Sequence, residues 1–225
     1  VASDSFNVVC GARLTSTAAD ARVAAVAACF QRHGRPFSWW VGPDSEPSDL
    51  GARLTDHGLA LTERSIGMAW ALTDLPPLSL PPGVAIRPAT TLADLTDFAD
   101  VLAASGEPPD PVARDVYIRG APLLLTANVP LRCYVAYLDG EPVGTSECVT
   151  VDGVAGLYNV ATLPQARRRG VGTALTLAPL IAARAMGCWL ATLQAATAGE
   201  GVYARLGFVA VAPFVEHKPN VAASA

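Results

Sequence analysis

The chain has 225 residues, 51% of them hydrophobic, with a mean hydropathy of +0.33, which is enough apolar sequence to bury the core of one large domain or two small ones. Its net charge of −4 and pI near 5.3 leave no basic surface of the kind that nucleic acid or an anionic membrane demands, so neither is expected as a partner.

The opening stretch FNVVCGARL (6–14) is rich in β formers and predicts a strand. TSTAADARVAAVAACFQRHG (15–34) predicts a helix between a Ser/Thr cap candidate and Gly34. PFSWWVG (36–42) reads as an aromatic strand, and alternation along it turns one of Trp39 and Trp40 inward. A short capped helix follows in PSDLGARLTDHG (47–58), and a strand in IGMAWAL (66–72). TDLPPLSLPPGV (73–84) then carries four prolines in two pairs, which hold the backbone extended and forbid a continuing helix. It is the expected linker, dividing the chain into 1–78 and 79–225.

Past the prolines, VAIRPA (84–89) predicts a strand. TLADLTDFADVLAAS (91–105) predicts an amphipathic helix, with Leu92, Leu95, Phe98, Val101 and Leu102 on one face and Asp94, Asp97 and Asp100 on a solvated one. The proline-punctuated stretch 106–130 predicts at most a short helix. Asp139-Gly140 and Asp152-Gly153 are favoured two-residue hairpin turns, so three antiparallel strands run in succession. A helix over about 169–186, a strand over 188–195, a short helix over 202–207 and a terminal strand FVAVAPFVEH complete the chain.

Two segments share a pattern. NVVCGARL, helix, PFSWWVG, LGARLTDHGLAL in the first half parallels NVATLPQ, helix, CWLATLQA, VYARLGFVAV in the second, as an internal duplication would if the first copy kept only its back half. The corresponding loop of the first copy, LTSTAADAR, has no glycine.

Chemistry concentrates in QARRRGVGTA (165–174), where three arginines precede two glycines. A strand, a turn and then a helix start present free backbone N–H groups at the positive end of a helix dipole, which is a phosphate-binding arrangement. Gly170 and Gly172 let an anion approach the backbone, and the arginines become favourable once a phosphate neutralises them. The stretch lacks the Gly-Lys-Ser/Thr of nucleotide-triphosphate loops and the Gly-x-Gly-x-x-Gly of dinucleotide folds. A solvated arginine cluster heading an ordinary helix is the plainer alternative.

VATLPQARRRGVGTAL resembles the acetyl-CoA signature of the GNAT superfamily of N-acyltransferases, Arg/Gln-x-x-Gly-x-Gly/Ala after a strand, with Arg167, Gly170 and Gly172 in the matching places. LQAATAGEGVYARLGF resembles the family's second block, and the likeness spans about residues 84–216. The resemblance implies an α/β fold with a mixed, mostly antiparallel sheet flanked by helices, preceded here by the partial copy. It implies acetyl-CoA as co-substrate, its pyrophosphate on the backbone of Arg168, Arg169, Gly170, Val171, Gly172 and Thr173, and arginines 167 to 169 reaching its phosphates. Its pantetheine arm would lie along the strand edge at Val160, Ala161 and Thr162. Tyr203 is implied as general acid, unless its ring only packs on the co-substrate. The strand before the loop lacks the glutamate some relatives place there, leaving Glu147 as a base acting through water and Asn159 to position the amine or a water, or both as ordinary strand residues.

The expected activity is direct acetyl transfer to a small-molecule amine in a ternary complex; the alternative is a non-catalytic CoA-binding sensor or scaffold. His33, His57 and His217 lie far apart and Gly-x-Ser-x-Gly is missing, so neither zinc nor hydrolase chemistry is expected. Five singly spaced cysteines read as buried thiols of a cytoplasmic protein, and fifteen arginines against one lysine as a GC-rich, bacterial source. No export signal or membrane-length apolar run is seen, and a monomer or homodimer is expected.

Overall fold

The computed structural model describes residues 1–106, 108–127 and 129–220. They form two compact units: Val1–Gly67 with Gln194–Gly201 and the chain from Ala210 on, and Met68–Leu193 with Val202–Val209. The proline-rich segment expected as a linker lies inside the second unit. Among the described residues no helix is long and apolar enough to cross a membrane.

The N-terminal unit opens with β1 (Val8–Val9), α1 (Ala19–Arg32), β2 (Ser38–Val41), α2 (Leu50–Asp56) and the start of β3 (Leu59–Ala71). β1 pairs parallel to β2, Val8 opposite Ser38, so α1 is a crossover between parallel strands. The strand expected over 6–14 shrinks to two residues because Gly11 takes φ 63° and turns the chain, leaving Arg13 a lone bridge to Glu46. β3 starts earlier than expected, directly after Gly58, through exposed polar residues that hide the alternation. Val23 from α1, Leu50 and Leu54 from α2, and Phe37, Trp39 and Leu59 make a buried core. Trp39 is buried and Trp40 half-buried, as alternation requires.

The second unit contains β4 (Val84–Pro88), α3 (Leu92–Ser105), α4 (Pro111–Leu124), β5 (Leu131–Leu138), β6 (Glu141–Val151), β7 (Val154–Thr162), α5 (Val171–Ala185), most of β8 (Leu190–Ala196) and most of α6 (Glu200–Leu206). β4 to β7 are antiparallel neighbours and β7 runs parallel to β8, giving a mixed, mostly antiparallel sheet with helices packed on it. Both hairpins turn at the Asp-Gly pairs, with left-handed φ at Asp139 and Gly140 (53° and 94°) and at Asp152 and Gly153 (49° and 79°). Gly144 on β6 is needed for a close approach: a Cβ there would stand 2.7 Å from Leu175 Cδ1 and 2.9 Å from the Ala161 carbonyl oxygen. β9 (Val209–Pro219) returns to the N-terminal unit and pairs antiparallel with β2, Trp39 opposite His217.

Further expectations change in the second unit and among the cysteines. The stretch 106–130 holds a full helix, α4, because Pro111 occupies the first position, where no N–H is needed, and the Asp110 carboxylate accepts from the Val112 N–H. Pro122 is tolerated in its last turn; Glu107 and Asn128 of this stretch lie outside the described residues. On α3 a Thr91–Asp94 capping box fixes the start, Leu92 is exposed rather than in the core, and the supposedly solvated acids have partners: Asp97 accepts from the Tyr137 hydroxyl at 2.8 Å and Asp100 pairs with Arg114. Cys133, Cys148 and Cys188 are buried free thiols, whereas Cys10, beyond the short β1, and Cys29, on the outer face of α1, are exposed.

Candidate functional site

The arginine-glycine turn is held from both sides. Ala166, ending a single 3-10 turn, and Val171, opening α5, are 0% and 1% exposed and pack with Val84, Ala136, Val143 and Leu175. Burial of such side chains is worth about 1.5–3 kcal/mol for a valine, so the exposed residues Arg167 to Gly170 are strung between two fixed anchors. Arg168 (φ 61°) and Gly170 (φ 78°) are both left-handed. Gly170 is the N-cap of α5: no side chain caps that helix and its first turn contains no acid, so no side chain neutralises its positive end.

In front of these groups lies a cavity of about 470 Å³ lined by Thr162, Arg167, Arg168, Gly170, Gly172 and Thr173, with Val202 and Arg205 closing it from α6. A Cβ at Gly172 would meet nothing nearer than Thr162 Oγ1 at 3.8 Å, so protein packing does not exclude a side chain there and glycine leaves cradle space. Arg167 Nε donates to the Thr162 carbonyl at 3.1 Å, tying the turn to the strand end. Arg169 is exposed but is not among the lining residues, and Arg205 was not anticipated. Arg205 stands two residues before Gly207 in the second motif block, the one signal that could have found it.

Val160, Ala161 and Thr162 continue β7 beyond its pairing with β8, whose last partners are Leu157 and Leu193. At the same place the β6–β7 register slips between Thr145 and Glu147, and Asn159 takes φ 50° with its carbonyl accepting from Thr145 Oγ1 at 2.9 Å. The bulge re-aims this stretch of strand.

Tyr203, on α6, is half-buried with its ring edge-on to Phe208 at 5.9 Å. Burial pushes its phenol pKa above the ordinary value, which keeps the proton on the oxygen. Glu147 is 4% exposed, and Asn159 Nδ2 donates to its Oε2 at 2.7 Å. The structure therefore brings together these two residues from different strands. It adds Tyr117 from α4, whose oxygen lies 3.0 Å from Asn159 Nδ2, and Cys133, whose Sγ is 3.9 Å from Glu147 Oε1. Burial raises the Glu147 pKa, while hydrogen bonds from Tyr117, Asn159 and Cys133 oppose the rise. Among the described residues Tyr203 makes no hydrogen bond to this group. An uncapped helix start beside a cavity, a protonated phenol and a buried carboxylate are thus carried by one unit.

Residues 97–208 match the model of the acetyltransferase (GNAT) family. In structure the chain is similar to a GCN5-related N-acetyltransferase from Kribbella flavida, with 23% identity and a TM-score of 0.68 over 90% of this chain and 77% of that one. It is similar also to a functionally unknown conserved protein from Staphylococcus epidermidis, with 16% identity and a TM-score of 0.73 over 98% and 87% of the two chains. A third likeness is to a tandem GNAT protein from the clavulanic acid biosynthesis pathway, with 18% identity and a TM-score of 0.62 over 90% and 70%. At these identities the likeness is one of fold. No curated protein matches the chain. Residues 97–208 thus carry a domain of the GNAT acetyltransferase family.

Proposed function

We propose that the protein is an N-acetyltransferase that moves acetyl from acetyl-CoA to the amine of a small molecule, by direct transfer with both bound at once. The observation that carries this reading is the uncapped, acid-free start of α5 facing a cavity whose wall is open at Gly172. A diphosphate fits this donor set: backbone N–H groups from Gly170 to Thr173 with Arg168 and Arg205 beside them. The free edge of Val160 to Thr162 suits an extended, amide-bearing arm, which would add to it as a strand does.

Acetyl-CoA supplies the activated thioester. The remaining work falls to the chain: a backbone N–H near Val160 steadies the developing oxyanion, Tyr203 holds a proton for the departing sulfur, and Glu147, with Asn159, takes a proton from the amine directly or through water.

Calorimetric titration of the protein with acetyl-CoA tests the reading. Gly172→Glu places a carboxylate where the phosphates would sit and removes about two charge-assisted hydrogen bonds, so binding is expected to weaken by about 100-fold or more. Equal binding by wild type and variant would overturn the assigned cradle. Binding without thiol release on any amine offered would overturn transfer and leave a CoA-binding protein.

A further inference from the structure

Glu147 is a buried carboxylate without a cation: among the described residues no Lys, Arg or His lies in an ion pair with it. Leaving a charge in that position is costly unless donors surround it. The donors are specific. Asn159 Nδ2 gives one hydrogen to Glu147 Oε2 at 2.7 Å and the other to the Tyr117 oxygen at 3.0 Å. With that oxygen accepting, the Tyr117 hydroxyl hydrogen goes to Glu147, to which it is hydrogen-bonded. Cys133, the cross-strand partner of Glu147, points its sulfur at Oε1. The amide, phenol and carboxylate close a three-membered ring in which the carboxylate only accepts, from the amide and from the phenol.

Among the described residues, no titratable group besides Tyr117 and Cys133 acts on Glu147. On α3, Asp94 serves its own cap, Asp97 takes the Tyr137 hydroxyl and Asp100 pairs with Arg114. On α4, Arg114, Asp115 and Arg119 are exposed, as are Arg132 on β5, Tyr158 on β7 and Arg184 on α5. Cys148, the next residue along β6, takes no part in the ring, and burial pushes its thiol up to about 12.

We infer that Tyr117 is a positioning residue: its hydroxyl, fixed by Asn159, holds the Glu147 carboxylate ionised and oriented to accept a proton from the amine. The phenol keeps its own proton throughout, and only the carboxylate gains one. The inference rests on the proposed role of Glu147, and the experiment separates the two.

Protein carrying 13C-carboxyl glutamate is titrated by NMR, with the Glu147 signal identified by its loss in Glu147→Gln. Tyr117→Phe keeps the ring that packs edge-on to Phe98 at 4.9 Å and removes only the hydroxyl. Losing one hydrogen bond to a charged group is expected to raise the Glu147 midpoint by about one pH unit. The acidic limb of thiol release from acetyl-CoA, followed with a panel of primary amines, should move up by the same amount. Asn159→Ser, which loses both donated bonds, should shift the midpoint in the same direction. An unmoved midpoint in Tyr117→Phe overturns the inference whatever Glu147 does. A raised midpoint, with full activity and an unchanged acidic limb in Glu147→Gln, overturns the base role and leaves Tyr117 holding a non-catalytic carboxylate.

Discussion

The starts of α1 and α5 are built alike and charged oppositely. Each helix crosses between parallel strands, β1 to β2 and β7 to β8, and each is followed by a short helix containing Ala-Arg-Leu. At its second residue α1 has Asp20, and α5 has Gly172. The Asp20 carboxylate sits in the first turn of α1 and accepts from Arg53 and from His57, while the leading N–H groups of Ala18 and Ala19 are bonded to the Thr15 carbonyl. In the second unit the matching arginine, Arg205, lines the cavity before α5, and no acid stands in that first turn. Where Arg53 follows Gly51 by two residues, Arg205 follows Tyr203. The N-terminal unit therefore carries its own anion and lacks the phenol. In the proposed reading, the same architecture serves as a binding site only where the helix end is left unneutralised.

Installing the first unit's acid in the second makes the sharpest test. Gly172→Asp should reduce acetyl-CoA affinity by about 100-fold or more, read by calorimetry, because an internal carboxylate occupies the same donors. Ala18→Glu at the start of α1 should leave affinity unchanged. Next in size, Tyr203→Phe should lower the rate of thiol release by about 100-fold with acetyl-CoA affinity retained, in keeping with loss of a general acid. An unaltered rate would remove the distinction drawn between Tyr203 and Gly51.

Smaller effects sharpen the contrast. Gly172→Ala, for which there is room, should raise stability by about 0.5–1 kcal/mol in denaturant unfolding while weakening acetyl-CoA binding several-fold. A glycine kept for the fold would show the reverse. The smallest signal is the pH slope of Glu147. Burial raises its folded pKa, so between the unfolded and folded values the native chain binds more protons than the unfolded one, and stability falls as pH rises through that window, then levels off. Glu147→Gln should flatten this slope, measured by denaturant midpoints above the ordinary glutamate range.

Local rules determined much of this protein. The Asp-Gly turns, the Thr91 start of α3 and the turn into α5 from Arg167 to Thr173 were legible because each depends on neighbours a few positions away: left-handed φ, side-chain capping, and N–H groups freed at a helix end. α4 was written in Asp110-Pro111 and in Ala113, Tyr117 and Ala121 at helical spacing, but the later prolines masked it. Tertiary structure alone decided which distant residues meet. Tyr117, Cys133, Glu147 and Asn159 come from four elements, and only the β5–β6 register and the bulge at Asn159 bring them to one carboxylate. The same holds for Arg205 at the cavity and for the Asp20–Arg53 pair. A hydrogen bond across the fold depends on register and packing summed over many residues, and no short stretch of sequence contains that sum.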